Sequence, residues 1–462
     1  MRKLRALALF GALSVTLACG GGSGGSGGGG TGGGGIAGCT NGTAASPSGN
    51  TLAASATNVA ALVIDGGPPT LTASTVYVNG VFTTVTVCVP GPPTPTTCQD
   101  IDHVLVDTGS YGLRLLSNSG GGVLTAALSS ALPQQKDTSG NSIAECAQFS
   151  DGITWGPVKM ADIYVGGVTR MAGESATTVP ISTTAGTGLP VQIIGDPNFK
   201  TVPSACTSFG TPEDTLQTLL ANGIIGVGPF PDDCGSACAS TTNNPGFYYA
   251  CPAGVCTSST QPTTEADTAQ VWNPVAAFAK DNNGVILELP SVPAAGLPVV
   301  NGSLVFGIGT ESNNLLGKAT ILMGDNSANV TTTFAGTPNS NSFFDSGSNG
   351  YFFSSNIPQC TSSQGFYCPT SPLACSATNS DSSGHSSRVN FNVANADQLA
   401  APNTAFNNIA GPNTPPKGST SSIGFDWGLP FFYGRNVYTG MFPVAGVTSS
   451  PPGVPVGPFF AY

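Results

Sequence analysis

From about residue 57 the chain alternates apolar and polar residues in short runs. Glycine, proline or Asn-Gly breaks each run, the period-two signature of strands joined by tight turns. "VAALVIDGG" and "STVYVNGVFTTVTVCV" predict hairpins, and "IDHVLVDTGS" predicts a short strand running into a turn. "ADIYVGG" and "ANGIIGVGPF" predict further strands interrupted by glycine. One segment, "NPVAAFAKD" at residues 273–281, predicts a helix with Pro274 in its first turn, followed by the strands "GVILELP" and "GSLVFGIG". Two long loop-like stretches stand out, residues 231–270 and 354–388, before a last apolar block "FDWGLPFFYGRNVYTGMF". The expected fold class is all-β with few short helices.

Upstream the pattern changes. "MRKLRALALFGALSVTLAC" has a basic start, an apolar stretch from Ala6 to Val15 and small Ala18 before Cys19, which predicts an export signal. The placing of Cys19 resembles a bacterial lipoprotein signal, with Cys19 lipidated. Thr16 departs from the usual aliphatic residue there, so ordinary signal-peptidase cleavage stays open. The apolar run is shorter than the ~18–20 residues a membrane span needs. "GGGSGGSGGGGTGGGG" at residues 20–35 then predicts a flexible tether extending to about residue 50.

Composition narrows the class. The 462 residues include 63 Gly and 37 Pro with only 8% charged side chains, which fits a β-rich exported protein better than a charged helical one. The formal charge is −11, and loss of Arg2, Lys3 and Arg5 with the leader takes it to −14. No basic residue occurs between Arg5 and Arg114. Nucleic-acid binding, which needs a basic footprint, is therefore not expected. Of 13 cysteines, 12 remain without Cys19, an even number that predicts disulfides in an oxidising compartment. Cys88 and Cys98, flanking the Pro-rich tip "VPGPPTPTT", are the one pair the sequence assigns. Cys234, Cys238, Cys251 and Cys256 admit zinc as an alternative, with disulfides preferred, and Cys360, Cys368 and Cys375 form a further cluster.

The candidate chemistry lies in a repeated phrase. "LVDTGSYG" at residues 105–112 and "FFDSGSNG" at 343–350 share two apolar residues, Asp, a hydroxyl residue, Gly, Ser, a variable position and Gly. Asp107 and Asp345 stand 238 residues apart, one in each half, which suggests duplicated lobes. Two carboxylates held about 3 Å apart cannot both ionise. The ionised member can then act as base towards a water, while the protonated one polarises a carbonyl. Thr108 and Ser346 are expected to bond across to the opposite turn, and Ser110 and Ser348 to bond the outer carboxylate oxygens. Gly109 and Gly347 are expected to supply close approach and positive φ. Only His103 and His385 are present, so a Ser-His-Asp or Cys-His scheme has little material. His103 reads as a satisfied structural group, His385 as exposed and Asp65 as a turn residue. The glycine runs lack the Lys-Ser/Thr of a phosphate loop.

With these residues the chain resembles the pepsin-like, bilobal aspartic peptidases over about residues 57–445. "NGIIGVGPF" is similar to the strand that threads beneath the first catalytic turn, with Ile224, Ile225 and Gly226 in its key positions. "WGLPFFYGRNVYTGM" resembles its second-lobe counterpart, with Gly428 as the glycine, and "GSLVFGIGTESNNLLG" the crossing between lobes. Residues 149–167, "FSDGITWGPVKMADIYVGG", are similar to the flap hairpin and bring Gly152 and Trp155 towards the substrate cleft. The resemblance implies a first lobe at 51–300 with a Cys-rich insertion at about 231–270, a second lobe at 301–462 and a cleft between them. It also implies a peptide or protein substrate, no cofactor, no metal and a monomer. Phe149 stands where the family has a flap tyrosine, and Arg114 where it has that tyrosine's tryptophan partner. Trp155 and Tyr164 are alternative sources of that pair. Asp426 stands where an aliphatic residue is expected. The phrase "IDHVLVDTGSYGLRLL" behind a Gly-rich start further resembles a proteobacterial lipoprotein family known only as a domain of unknown function. The expectation is a cell-envelope lipoprotein, on the periplasmic side or at the outer membrane. It is an aspartic endopeptidase, or alternatively a non-catalytic binder using the same cleft.

Overall fold

The structure, a computed structural model, describes residues 36–71, 76–91, 97–166, 188–278, 280–413, 424–444 and 450–462. The expected leader, the lipidation site Cys19 and the glycine run of the tether lie outside these residues.

Strands dominate, as the alternation predicts. In the first half six of them close on themselves. Gly80–Cys88 pairs with Cys98–Asp107, which pairs with Gly223–Val227, then Tyr111–Leu116, Leu189–Ile194 and Ile153–Val165. The last of these returns to Gly80–Cys88 and closes a barrel. Leu189–Ile194 and Gly223–Val227 are buried at every position, so "LPVQII" and "GIIGV" are nearly continuous apolar runs without alternation. From Gly80–Cys88 the sheet continues outward through Val59–Asp65, Val300–Phe306, Gly284–Leu289, Arg435–Gly440, Phe459–Ala461 and Ile321–Met323. Both halves of the chain thus share this outer part.

The second half forms an eight-stranded curled sheet. Leu373–Ser380 alternates buried and half-exposed residues along its length, with one face on the core. Its neighbours are Val330–Phe334, Ser386–Val393 and Cys39–Asn41, the last brought in from the start of the described chain. Stacked aromatics fill the space beneath, with Phe353, Phe425 and Trp427 ring to ring at 4.7 Å and 4.2 Å.

The expected helix at 273–281 shrinks to a 3-10 turn over Pro274–Ala277, capped by the Asn273 side chain on the Val275 amide. All four of its residues are buried, so it has no solvent face for a longer amphipathic helix to present. The longest helix among the described residues is Ala126–Ala131, capped by Thr125.

Six disulfides join Cys39–Cys375, Cys88–Cys98, Cys146–Cys206, Cys234–Cys238, Cys251–Cys256 and Cys360–Cys368. Cys88–Cys98 is the expected pair. The zinc alternative for Cys234, Cys238, Cys251 and Cys256 falls, since a disulfide sulfur offers no thiolate. Complete pairing of the described cysteines marks an oxidising compartment. Among the described residues no helix is long and apolar enough to cross a membrane.

Candidate active site

Asp107 ends the Cys98–Asp107 strand, and Asp345 follows directly on Thr337–Phe344. Each is reached by a threading strand. Gly223–Val227 runs parallel to the first, with Gly226 opposite Asp107, and antiparallel to Tyr111–Leu116. Asp426–Trp427 runs parallel to Phe343 and Phe344 and antiparallel to Tyr351–Phe352, which brings Gly428 beside the second turn. A side chain on Gly226 would overlap the Tyr111 amide, and one on Gly428 the Gly350 carbonyl. Both glycines are therefore dictated by close packing.

The two turns meet and exchange hydrogen bonds about an approximate twofold axis. Thr108 Oγ1 donates to the Phe344 carbonyl at 3.0 Å and accepts from the Ser346 amide at 2.9 Å. Ser346 Oγ donates to the Val106 carbonyl at 2.7 Å and accepts from the Thr108 amide at 3.1 Å. The Gly109 amide donates to Asp107 Oδ1 and the Gly347 amide to Asp345 Oδ1, both at 2.8 Å. A Cβ on Gly109 would lie 2.6 Å from Asp345 Cγ, and one on Gly347 2.6 Å from Asp107 Cγ. Each glycine makes room for the carboxylate of the opposite lobe. Neither lies in the left-handed region, so space is what the position requires and not the expected positive φ.

Asp107 and Asp345 are fully buried and lie within hydrogen-bonding reach of each other. Burial raises the pKa of Asp107, partly offset by hydrogen bonds from Asp345, Ser110 and the Gly109 amide. Burial raises Asp345 well above the usual carboxylate range, and the charges of Asp107 and Asp426 raise it further. Such a pair holds one proton between two carboxyls and titrates as a unit. The expected serine contacts differ between lobes. Ser348 Oγ donates to Asp345 Oδ2 at 2.8 Å. Ser110 lies close enough to lower the Asp107 pKa, yet neither its Oγ nor Asp107 Oδ2 has a partner of good hydrogen-bond geometry. Tyr111 faces both carboxylates, and burial followed by their charges keeps its phenol neutral.

The stretch expected as a flap, 149–167, supplies the turn and the second strand, Ile153–Val165, of a hairpin whose first strand is Ser142–Gln148, with the Phe149 amide bonded to the Gly152 carbonyl across the turn at 2.8 Å. Phe149 is buried with Tyr77, Phe82, Leu105 and Tyr111, and the Arg114 guanidinium sits 5.9 Å from its ring. The residues at the two expected pair positions are thus neighbours. Arg114 is fully buried and committed elsewhere: it bonds the Glu145 carboxylate, Asp233 Oδ2 at 2.9 Å and the Tyr111 carbonyl at 2.6 Å. Burial alone would lower its pKa, but the charges of Glu145 and Asp233 outweigh this and raise it. Gly152 is pressed against the 211–213 segment, where a Cβ would lie 2.6 Å from the Thr211 carbonyl. Trp155 belongs to a separate cluster with Cys146, Cys206 and Tyr249, and its indole donates to the Phe199 carbonyl at 2.8 Å. Tyr164 pairs with Thr86 on the barrel wall. Neither is brought to the carboxylates.

A family profile described as "Protein of unknown function (DUF3443)" matches residues 54–462. The chain belongs to the DUF3443 family. No curated protein sequence matches it. Among solved structures it is similar to basic 7S globulin from soybean, at 10% identity and a TM-score of 0.37, over 87% of this chain and 94% of that one. In this DUF3443 chain one residue beside the dyad escaped assignment from sequence. Asp426 is buried against Ser348, and its only sequence signal was a carboxylate in an otherwise apolar strand. The one metal-like cluster among the described residues, Cys360, Cys368 and Asp397, contains a disulfide and so offers no thiolate.

Proposed function

We propose that the chain is an aspartic endopeptidase of pepsin-like type, carried in the bacterial cell envelope by a lipid on Cys19 and a glycine-rich tether. The observation that carries this reading is the reciprocal set of four Thr108 and Ser346 hydrogen bonds, which holds Asp107 and Asp345 together in one buried pair. The ionised carboxylate takes a proton from a water held between the two, and that water attacks the carbonyl of a bound peptide. The protonated carboxyl donates to the carbonyl oxygen as a tetrahedral gem-diol forms. Collapse of the gem-diol with proton transfer to the leaving nitrogen completes hydrolysis.

Incubation with an unstructured protein at pH 3–7, with and without a statine-type inhibitor, tests the reading. Cleavage should be inhibited by statine and fall about 100-fold or more in Asp107→Asn and in Asp345→Asn. An intact wild-type fold that cleaves at no pH would overturn it. The anchor is tested separately, since Cys19→Ser should move the protein from the membrane fraction to the soluble one.

The second reading is a non-catalytic envelope binding protein using the same site for recognition. The complete burial of both carboxylates and the commitment of Arg114 to Glu145 and Asp233 favour it. Binding of statine without cleavage of any peptide is its expected result.

A further inference from the structure

The two lobes differ at one position next to the dyad. In the first, Ile224 stands two residues before Gly226 and pairs with Leu105. In the second, the equivalent residue two before Gly428, paired with Phe343, is Asp426. Ile224 packs in an apolar cluster with Leu105 and Leu116. Asp426 is a carboxyl in the corresponding place, only 4% exposed, and its Oδ1 has no hydrogen-bond partner. An ionised carboxylate there is costly.

The Asp426 side chain lies within hydrogen-bonding reach of Ser348, and Ser348 Oγ lies 2.8 Å from Asp345 Oδ2. The neighbouring backbone holds this serine in place. The Leu429 amide donates to the Ser348 carbonyl at 2.7 Å and the Asp345 amide to the Trp427 carbonyl at 3.1 Å. A hydroxyl carries one proton and cannot donate to two carboxylates at once. When Ser348 donates to Asp345, it accepts from Asp426, which is then protonated. When Ser348 donates to Asp426, it accepts from a protonated Asp345. The first lobe has no such bridge, because Ile224 offers no polar atom and Ser110 Oγ lacks a partner of good geometry.

We propose that Asp426 is a third, proton-holding carboxyl of the site, a positioning residue that sets the protonation state of Asp345 through Ser348. The exchange balances. Asp426 passes its proton to Ser348 Oγ as Ser348 passes its own to Asp345 Oδ2, and the negative charge moves from Asp345 to Asp426. No solvent is needed, which suits a site whose carboxylates are fully buried. The titratable groups facing Asp426 are Asp107 and Asp345 from the two turns. Tyr351, on the strand beside it, is kept neutral by burial. Any effect on catalysis rests on the peptidase reading, whereas the proton coupling does not.

Asp426→Asn keeps a donor towards Ser348 and so pins the Ser348 proton on Asp345. Titration of carboxyl-¹³C-labelled protein should show the upper ionisation of the Asp107–Asp345 pair moving down by about one pH unit in Asp426→Asn. The alkaline limb of the peptidase pH profile should move with it. In a Ser348→Ala background the same substitution should shift the titration by less than half as much. Equal shifts in both backgrounds, or no shift in either, overturn the proposal. The unmutated protein gives a check that needs no variant to fold. Its Asp345 and Asp426 carboxyl signals should share two-step titrations, and two independent single-step curves would refute the coupling. Coupled titration in a protein that cleaves no peptide would remove the peptidase reading alone, and cleavage with uncoupled carboxyls would remove this proposal alone.

Discussion

His103 shows how far a single residue departs from strand periodicity. Alternation put it on the face of Leu105 and Asp107, but its φ is +49° and the pairing with Gly80–Cys88 slips between Thr83 and Val85. The bulge turns the ring to Asp102 at 2.6 Å and Asp65 at 3.2 Å. Burial lowers its pKa, but the hydrogen bonds and charges of Asp65 and Asp102 outweigh this and raise it above 6.5. A folded pKa above the unfolded one stabilises the fold fully below about pH 6.5, and the gain disappears as pH rises through the folded value. His103→Asn tolerates the left-handed backbone. It should therefore lower the melting temperature at pH 5.5, with the gap to wild type narrowing by pH 8.5. A gap that stays constant with pH would contradict this. The dyad residues themselves were legible because their chemistry repeats in the sequence. Asp426 was visible only as an anomaly, because its role depends on a serine 78 positions earlier that only the fold brings near.

Among the elements, the hairpin of Ser142–Gln148 and Ile153–Val165 is the one the sequence described least well. Its turn and second strand fall in the expected 149–167 stretch, but the first strand, Ser142–Gln148, lies ahead of it, and the third, Tyr248–Cys251, comes from the Cys-rich stretch and pairs with residues about a hundred positions earlier. Periodicity carries no information about a partner so distant. The same holds for the Cys146–Cys206 link and for Arg114, whose partners Glu145 and Asp233 lie on the hairpin and in the Cys-rich stretch. Tyr248 completes this cluster by donating to Asp233 Oδ1 at 2.6 Å. Burial, followed by the charge of Glu145, raises the Asp233 pKa well above the usual range, so the guanidinium is what keeps two carboxylates tolerable there. Arg114→Leu should cost on the order of 3–5 kcal/mol in urea unfolding, because it strands both acids in the interior. A loss below about 1 kcal/mol would mean that the acids simply take up protons at little expense.

For the whole molecule, the duplicated motif foretold two halves meeting at the aspartates, and strands of fitting pattern foretold an all-β fold. What the sequence withheld was the wiring between halves. Val59–Asp65 from the start, Val300–Phe306 from the middle and Arg435–Gly440 from near the end lie in one continuous sheet. Nothing local marks them as companions, since each needs only a pleated, half-buried surface. The first described residues follow the same logic. Cys39–Asn41 joins the edge of the second sheet, and the Ala44 amide bonds Asn392 Oδ1 at 2.6 Å. Asn50 Nδ2 then bonds the carbonyls of Leu289 at 3.0 Å and Arg435 at 3.1 Å. The Cys39–Cys375 bond gives this seam a mechanical meaning. A pull on the chain ahead of Cys39 passes through a covalent link into the eight-stranded sheet of the second half. The barrel and the hairpin of the first half lie off that load path, whereas the sheet that takes the load is the one whose Thr337–Phe344 strand leads into Asp345.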